Sequence, residues 1–345
     1  MTVNKPRIAL LLGDPSGIGP EMAVKLLARV ANRDAANVLL IADPTVLASG
    51  QQIAGEQLDP LTVTRLEDVR YEPGRMTLLA QDFMQNRPLT LGESNEASGR
   101  ASMLALALAT EAVKHGVADA IVFAPLNKHS LRLGGLTHED ELRYLQQRLD
   151  VPGFVCEFNI TGELWTSRVT SHVPIRDVAA LITREGVRDA VHIIDAALRH
   201  AGISRPRIAV SGLNPHAGDG GSIGMEEIEI IGPAVELLKG EGIDARGPYS
   251  PDTVFIGARR GDFDAVVSMY HDQGQIAMKL MGFEQGVTLH GGLPIPVATS
   301  ASGSAFDIAG QGVARVEGLQ HAFDLCVRMA ARQSAGQQQP AASAA

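Results

Sequence analysis

Arg7-Ile8-Ala9-Leu10-Leu11-Leu12 runs directly into Gly13-Asp14-Pro15-Ser16-Gly17-Ile18-Gly19-Pro20 and then into Glu21-Met22-Ala23-Val24-Lys25-Leu26-Leu27-Ala28-Arg29-Val30. The first part reads as a short apolar strand and the second as a loop punctuated by Gly and Pro. The third has helical spacing through Met22, Leu26, Leu27 and Val30. Strand, loop and helix in that order open an α/β fold. The alternation returns downstream, in an apolar stretch over 37–41, an Ala/Leu-rich helix over 101–115 and a strand over 120–123 that ends at Ala124-Pro125. It continues through a helix over 140–149, an alternating strand from Trp165 to Thr170 and a long helix from Thr183 to Ala201. A βα pair over 207–212 and 225–238 follows, then a buried strand over 265–270 and a helix over 273–281. No repeat of fixed period is present.

With 345 residues, 45% of them hydrophobic and 20% charged, the chain suits one large or two medium folded domains and excludes wholesale disorder. Gly is abundant and aromatics are few, which fits an aliphatic core with many tight loops. The formal charge of -9 and the lack of any Lys/Arg block make nucleic acid a poor partner. The apolar run 8–12 is too short for a signal-peptide core or a membrane span, so no membrane association and a cytoplasmic location are expected. Cys156 and Cys326 are the only cysteines, without the spacing of a disulfide scaffold or thiolate zinc site. Residues 333–345, rich in Gln, Ala and Ser, cannot bury a core and are expected to form a mobile tail.

Ligands of open α/β sheets bind beyond the carboxyl ends of the strands. Three strands end alike: Val169-Thr170-Ser171 runs into His172, Val210-Ser211-Gly212-Leu213-Asn214-Pro215 into His216, and Met269-Tyr270 into His271-Asp272. Neutral imidazoles suit zinc and other first-row divalent ions, and three protein ligands with one open position is a catalytic arrangement. Any one such His is ordinarily a surface or hydrogen-bonded residue; three at equivalent strand ends favour a metal site. The loop 13–20 sits where a phosphate cradle would, yet it lacks the Lys-Ser/Thr ending of a P-loop and the G-x-G-x-x-G spacing. Gly218-Asp219-Gly220-Gly221 misses that spacing too, so a Rossmann-type dinucleotide site is unsupported. Lys128, Lys279, Asp252, Asp264 and Asp272 read by themselves as solvated charges. His138-Glu139-Asp140-Glu141 reads as an acidic helix N-terminus.

Together, Gly13 to Glu21, Asn214-Pro215-His216-Ala217-Gly218, Tyr270-His271-Asp272-Gln273-Gly274 with Lys279, and Gly292-Leu293-Pro294 resemble the 4-hydroxythreonine-4-phosphate dehydrogenase family over roughly residues 7–330. More distantly, Gly303-Ser304-Ala305-Phe306-Asp307-Ile308-Ala309-Gly310 is similar to the nucleotide loop of isopropylmalate and isocitrate dehydrogenases. The resemblance implies a two-lobed α/β/α fold like those enzymes, with a cleft between the lobes. It implies a discontinuous nucleotide-binding lobe (1–129 with 283–333), a metal, substrate and dimerisation lobe (130–282), and a tail over 334–345. NAD or NADP would meet Gly303, Ser304, Ala305 and Asp307. A divalent ion (Zn, Mg, Mn or Co) would be held by His172, His216 and His271, with ligands drawn from both subunits of a homodimer. Lys279 is implied at the substrate, with Asp252 and Asp272 as polar supports near the metal.

The substrate contacts depart from the family pattern. Read along the family's Gly-His-Thr-Glu run, its two contact positions become Glu139 and Asp140, and its Asn and Arg become Thr288 and Val297. The His before the nucleotide loop becomes Ser302. A phosphate dianion wants Arg and amide donors, so these exchanges favour an unphosphorylated hydroxy acid or cis-dihydrodiol carboxylate. Its metal-dependent, NAD(P)-linked oxidation would be followed by decarboxylation, with Lys279 holding the carboxylate or moving a proton. The alternative is 4-hydroxythreonine-4-phosphate oxidation in pyridoxal phosphate (vitamin B6) biosynthesis. More remote is a transferase resembling phosphate acyltransferases.

Overall fold

The computed structural model describes residues 5–282 and 285–337. The chain divides into two compact units, one within Met1–Pro152 and Leu293–Ala345, the other within Gly153–Gly292. Residues 130–152, read from the sequence with the metal-binding lobe, group with the first unit, and 285–292 group with the second.

In chain order the first unit contributes β1 (Arg7–Leu11), α1 (Gly19–Ala28), α2 (Val30–Ala35), β2 (Asn37–Ala42), α3 (Pro44–Ala54), β3 (Leu61–Val63), β4 (Thr77–Ala80), α4 (Glu96–Lys114), β5 (Ala120–Phe123), α5 (Lys128–Leu133) and α6 (Glu141–Arg148). The second unit follows with β6 (Cys156–Thr161), β7 (Leu164–Arg168), α7 (Ile175–Leu181), α8 (Arg184–Ala201), β8 (Arg207–Ser211), α9 (Gly232–Gly240), β9 (Asp244–Tyr249), α10 (Val254–Arg259), β10 (Ala265–Ser268), α11 (His271–Gly282) and β11 (Val287–Gly291). The chain then returns to the first unit with β12 (Val297–Ser300) and α12 (Glu317–Gln337).

In the first unit the strands run β3-β4-β2-β1-β5-β12, every pair parallel. Parallel strands covered on both faces read as continuous apolar runs, and Ile8, Ala9, Leu10, Val38, Leu39, Leu40, Ile121 and Val122 are all buried. The expected helix through Val30 stops at Ala28: Arg29 is extended, and Val30 opens α2 with its side chain exposed. Polar caps set other boundaries, with Asn95 accepting from the Ser98 amide at the start of α4 and Asn127 from the Ser130 amide at the start of α5. Such caps are worth about 1 kcal/mol each.

The second unit is mixed, which the sequence reading missed. β7-β10-β8-β9 are parallel neighbours, whereas β6 pairs antiparallel with both β7 and β11. The β6–β7 hairpin turns at Gly162 with φ 59°. Thr183 caps α8 by accepting from the Gly186 amide.

Each unit anchors its strands with the same fork. The Arg7 amide and guanidinium both donate to Asp119, just before β5, and those of Arg207 both donate to Asp264, just before β10. The two cysteines are free and buried. No helix among the described residues is long and apolar enough to cross a membrane. α12 continues to Gln337, so residues 334–337 of the expected tail are helical, and 338–345 lie outside the described residues.

Candidate active site

The order β7-β10-β8 puts the three candidate ligands beyond the carboxyl ends of three adjacent parallel strands, each about 4.8 Å from the next. His172 lies four residues past β7, His271 opens α11 after β10, and His216 lies five residues past β8. The strand ends are tied together. The Thr170 hydroxyl and amide both donate to the Met269 carbonyl, at 2.8 and 3.1 Å. The Gln273 side chain accepts from the Met269 amide at 2.7 Å and donates to the Gly212 carbonyl at 2.9 Å. Gly274 packs closely beside it: a Cβ there would sit 3.1 Å from the Ser268 hydroxyl.

His172 and His271 have ring centres 5.6 Å apart, inclined at 45°. Two imidazoles on one tetrahedral ion, with bonds of 2.0–2.1 Å, have ring centres about 5 Å apart. His271 Nδ1 and an Asp272 carboxylate oxygen are 2.8 Å apart, an orienting contact of the kind that leaves Nε2 for a ligand. The His172–His271 pair therefore fits a divalent ion. Within the single chain, the ligand atoms of His172, His216 and His271 do not all come within 4.8 Å of one another.

His216 stands on unusual backbone. Residues 216–221 are all left-handed, with φ between 46° and 98°. For His216, Ala217 and Asp219, which carry a Cβ, this costs on the order of 1–2 kcal/mol each. The run persists only because its surroundings over-determine it.

The remaining candidates are spread out. Asp252 is exposed past the end of β9, bonded to the Ser250 hydroxyl at 2.6 Å. Lys279 is exposed on α11, eight residues or about 12 Å of helical rise beyond His271. Thr288 lies on β11, where its hydroxyl accepts from the Asn159 amide at 3.4 Å. Sequence reasoning missed the neighbour that organises this region. Arg168 is buried at the end of β7, donating to Glu157 at 2.8 Å, Asn159 at 3.0 Å and the Ser171 hydroxyl at 2.7 Å. Its only sequence signal was an arginine inside an otherwise apolar-alternating strand.

In the first unit, Asp140 is buried and caps α6 by accepting from the Arg143 amide at 2.9 Å, while Glu139 is exposed. The helix N-terminus reading thus describes what Asp140 does in the fold. Val297 is fully buried at the start of β12, opposite Ile121.

The loop 303–310 meets the loop 13–20. The Ser304 carbonyl accepts from the Ile18 amide at 3.0 Å, and a Cβ on Gly17 would fall 2.7 Å from that oxygen. Ser304 is buried, Ala305 is left-handed at φ 40°, Asp307 is exposed, and a Cβ on Gly303 would meet open space. Beneath them the Ser16 hydroxyl contacts that of Ser98 at 2.6 Å and accepts from Asn95 at 2.8 Å. Burial pushes the Asp14 carboxyl above the usual carboxylate range, with Ser130 and the Ser16 amide pulling the other way.

Two α/β units, with three histidines beyond the carboxyl ends of the neighbouring parallel strands β7, β10 and β8, define the class: an α/β protein with a candidate metal site. The chain belongs to the family described as pyridoxal phosphate biosynthetic protein PdxA, whose model matches residues 34–326. A Pseudomonas aeruginosa protein provisionally named 4-hydroxythreonine-4-phosphate dehydrogenase 2 is 49% identical over 327 residues, covering 94% of this chain and 97% of its own. The D-threonate 4-phosphate dehydrogenase of Salmonella typhimurium is 33% identical, covering 94% and 98%. Among solved structures, 4-hydroxythreonine-4-phosphate dehydrogenase from Klebsiella pneumoniae is similar with TM-score 0.82 at 32% identity, covering 96% and 99%. Terephthalate 1,2-cis-dihydrodiol dehydrogenase from Burkholderia xenovorans is similar with TM-score 0.66 at 28% identity, covering 94% and 98%.

Proposed function

We propose that this protein is an NAD(P)-linked, divalent-metal-dependent dehydrogenase that oxidises the hydroxyl of a phosphorylated hydroxy acid of the 4-hydroxythreonine-4-phosphate or D-threonate 4-phosphate type. The observation that carries the reading is the placement of His172, His216 and His271 beyond three adjacent strand ends, with the first and last 5.6 Å apart. The relatives' named substrates favour a phosphate ester over the unphosphorylated substrate read from Thr288 and Val297.

The three imidazoles would hold the ion, with the set completed between subunits of a homodimer. Bound there, a divalent ion would supply Lewis acidity toward the substrate hydroxyl, and a nicotinamide cofactor would supply the hydride acceptor. Asp272 orients the His271 ring, and Gln273 and Thr170 tie together the ends of β7, β10 and β8 from which the candidate ligands project. Lys279 would hold the substrate carboxylate or move a proton as CO₂ leaves the β-keto acid, and Thr288 would offer one hydroxyl to the substrate. Gly303, Ser304, Ala305 and Asp307 would receive the cofactor. Asp252 would support the polar rim of the site.

One observation keeps the unphosphorylated reading as the rival. Val297 is apolar and fully buried, so that position cannot donate to a phosphate. The deciding measurement follows reduced nicotinamide by its absorbance, with 4-hydroxythreonine-4-phosphate, D-threonate 4-phosphate, their dephosphorylated forms and a terephthalate-type dihydrodiol, with and without chelator. A higher kcat/KM for the phosphate esters, abolished by chelation and restored by a divalent ion, is expected. A preference for the unphosphorylated compounds would select the rival, and turnover indifferent to chelator would sink the metal assignment.

A further inference from the structure

Glu227 lies 11 residues past His216, on one turn of π-helix spanning Glu227–Ile231, and is buried although charged. Its carboxylate faces the stem of the left-handed run. One oxygen accepts from the Leu213 and Asn214 amides, both at 2.7 Å, and the other accepts from the Asn214 side chain at 2.9 Å. Asn214 also donates to Glu226 at 2.7 Å, so two consecutive acids grip the residue two positions before His216. The fit is tight on both sides. A Cβ on Gly212 would lie 2.9 Å from one carboxylate oxygen, and a Cβ on Gly218 would lie 2.7 Å from the other.

An isolated segment would not keep residues 216–221 left-handed, because a Cβ disfavours that conformation at three of them. A π-helical turn is itself rare and concentrates near functional sites. Together these observations give the buried carboxylate a specific task. We infer that Glu227 is the positioning residue of the site: it holds the 213–218 turn in the one conformation that presents the His216 imidazole as a ligand. The inference rests on the proposed role of His216 as a metal ligand. In this role Glu227 is not itself a ligand and acts through the Leu213 and Asn214 amides and the Asn214 side chain.

The test uses the full-length protein, stripped with chelator and titrated with Co(II), whose visible bands report ligand number and geometry, and with Zn(II) against a chromophoric chelator. Glu227→Ala is expected to weaken metal binding about tenfold to a hundredfold, the range seen when groups supporting a ligand are removed, and to alter the Co(II) bands. Glu227→Gln keeps one oxygen for the two amides but sets its NH2 against the Asn214 side-chain NH2, and is expected to bind metal with an affinity between those of Glu227→Ala and wild type while keeping the wild-type spectrum. Gly218→Ala presses the same contact from the other side and should reproduce the Ala phenotype, which keeps the test decisive if Glu227→Ala does not fold. Wild-type affinity and spectrum in Glu227→Ala or Gly218→Ala, with His216→Ala still losing metal, would overturn the inference alone. Unchanged metal binding in His216→Ala would overturn the metal assignment and the inference together.

Discussion

Gln273 donates its side-chain amide to the carbonyl of Gly212 at 2.9 Å, joining the start of α11 to the end of β8. The same side chain accepts from the Met269 amide at 2.7 Å, so one residue of the Tyr270-His271-Asp272-Gln273-Gly274 signature clamps the strand ends that carry His216 and His271. The signature is thus a mechanical unit as well as the carrier of the proposed ligand His271.

Replacing Gln273 with Ala leaves a backbone donor and a backbone acceptor without their partner. An unfolding cost of about 1–3 kcal/mol is expected from the unmet groups, together with weaker metal binding. Urea denaturation and metal titration check it; a variant with wild-type metal affinity would show that the clamp does not set the donor geometry.

The buried Arg168 pairs with the partly buried Glu157 at 2.8 Å, and Arg168 also serves Asn159 and Ser171. Arg168→Met should destabilise the protein by about 1–3 kcal/mol, because Glu157, Asn159 and Ser171 lose a charged hydrogen-bond donor in a part-buried setting. Arg168→Lys keeps the charge but not the fork and should lose less. Equal stability of Met and Lys variants in denaturant titrations would contradict this.

The two glycines at the loop contact should behave differently. Gly17→Ala forces a Cβ to 2.7 Å from the Ser304 carbonyl and should cost about 1–3 kcal/mol through overpacking. Gly303→Ala meets open space and should leave the melting temperature unchanged while raising KM for the nicotinamide cofactor. Unaltered cofactor KM in Gly303→Ala would move the cofactor away from this loop. Ser304 itself is a poor probe, since it is buried against Gly17 and a large side chain there would disrupt the fold.

Two carboxyls should give opposite pH signatures. At Asp264, burial works to raise the pKa, but the Arg207 guanidinium and amide prevail and hold the carboxyl below the usual range. Its stabilisation is therefore present above the unfolded value, near 3.9, and is lost as pH falls through the folded one. Asp264→Asn should lose about 1 kcal/mol at pH 7, a modest figure because the Arg207 side is half exposed, and the gap to wild type should close in acid. Asp14 is shifted upward by burial, so the stability its neutral form lends is full below the unfolded value and is lost as pH rises through the folded one. Asp14→Asn should melt higher than wild type at pH 7, with the gain vanishing below about pH 4. Denaturation at several pH values tests both signs.

The sequence by itself determined the α/β class, the placement of most parallel strands and the three histidines at strand ends. These rest on local rules: a strand buried on both faces must be apolar throughout, as at Ile8–Leu11, and polar loop residues must follow where it ends. The antiparallel β6–β7 hairpin, the burial of Arg168 and the packing of Gly17 on Ser304 were not legible, because each depends on partners distant in the chain or on space that a one-dimensional pattern does not encode. Asp140 shows the same limit: the resemblance implied a substrate contact there, and its further part in the fold, capping α6 through the Arg143 amide, emerges only from the structure. The left-handed turn at His216 is the clearest case. Its composition reads as any glycine-rich loop, and only the tertiary structure, by burying the Glu227 carboxylate against the Leu213 and Asn214 amides, decides which of many backbone conformations it takes.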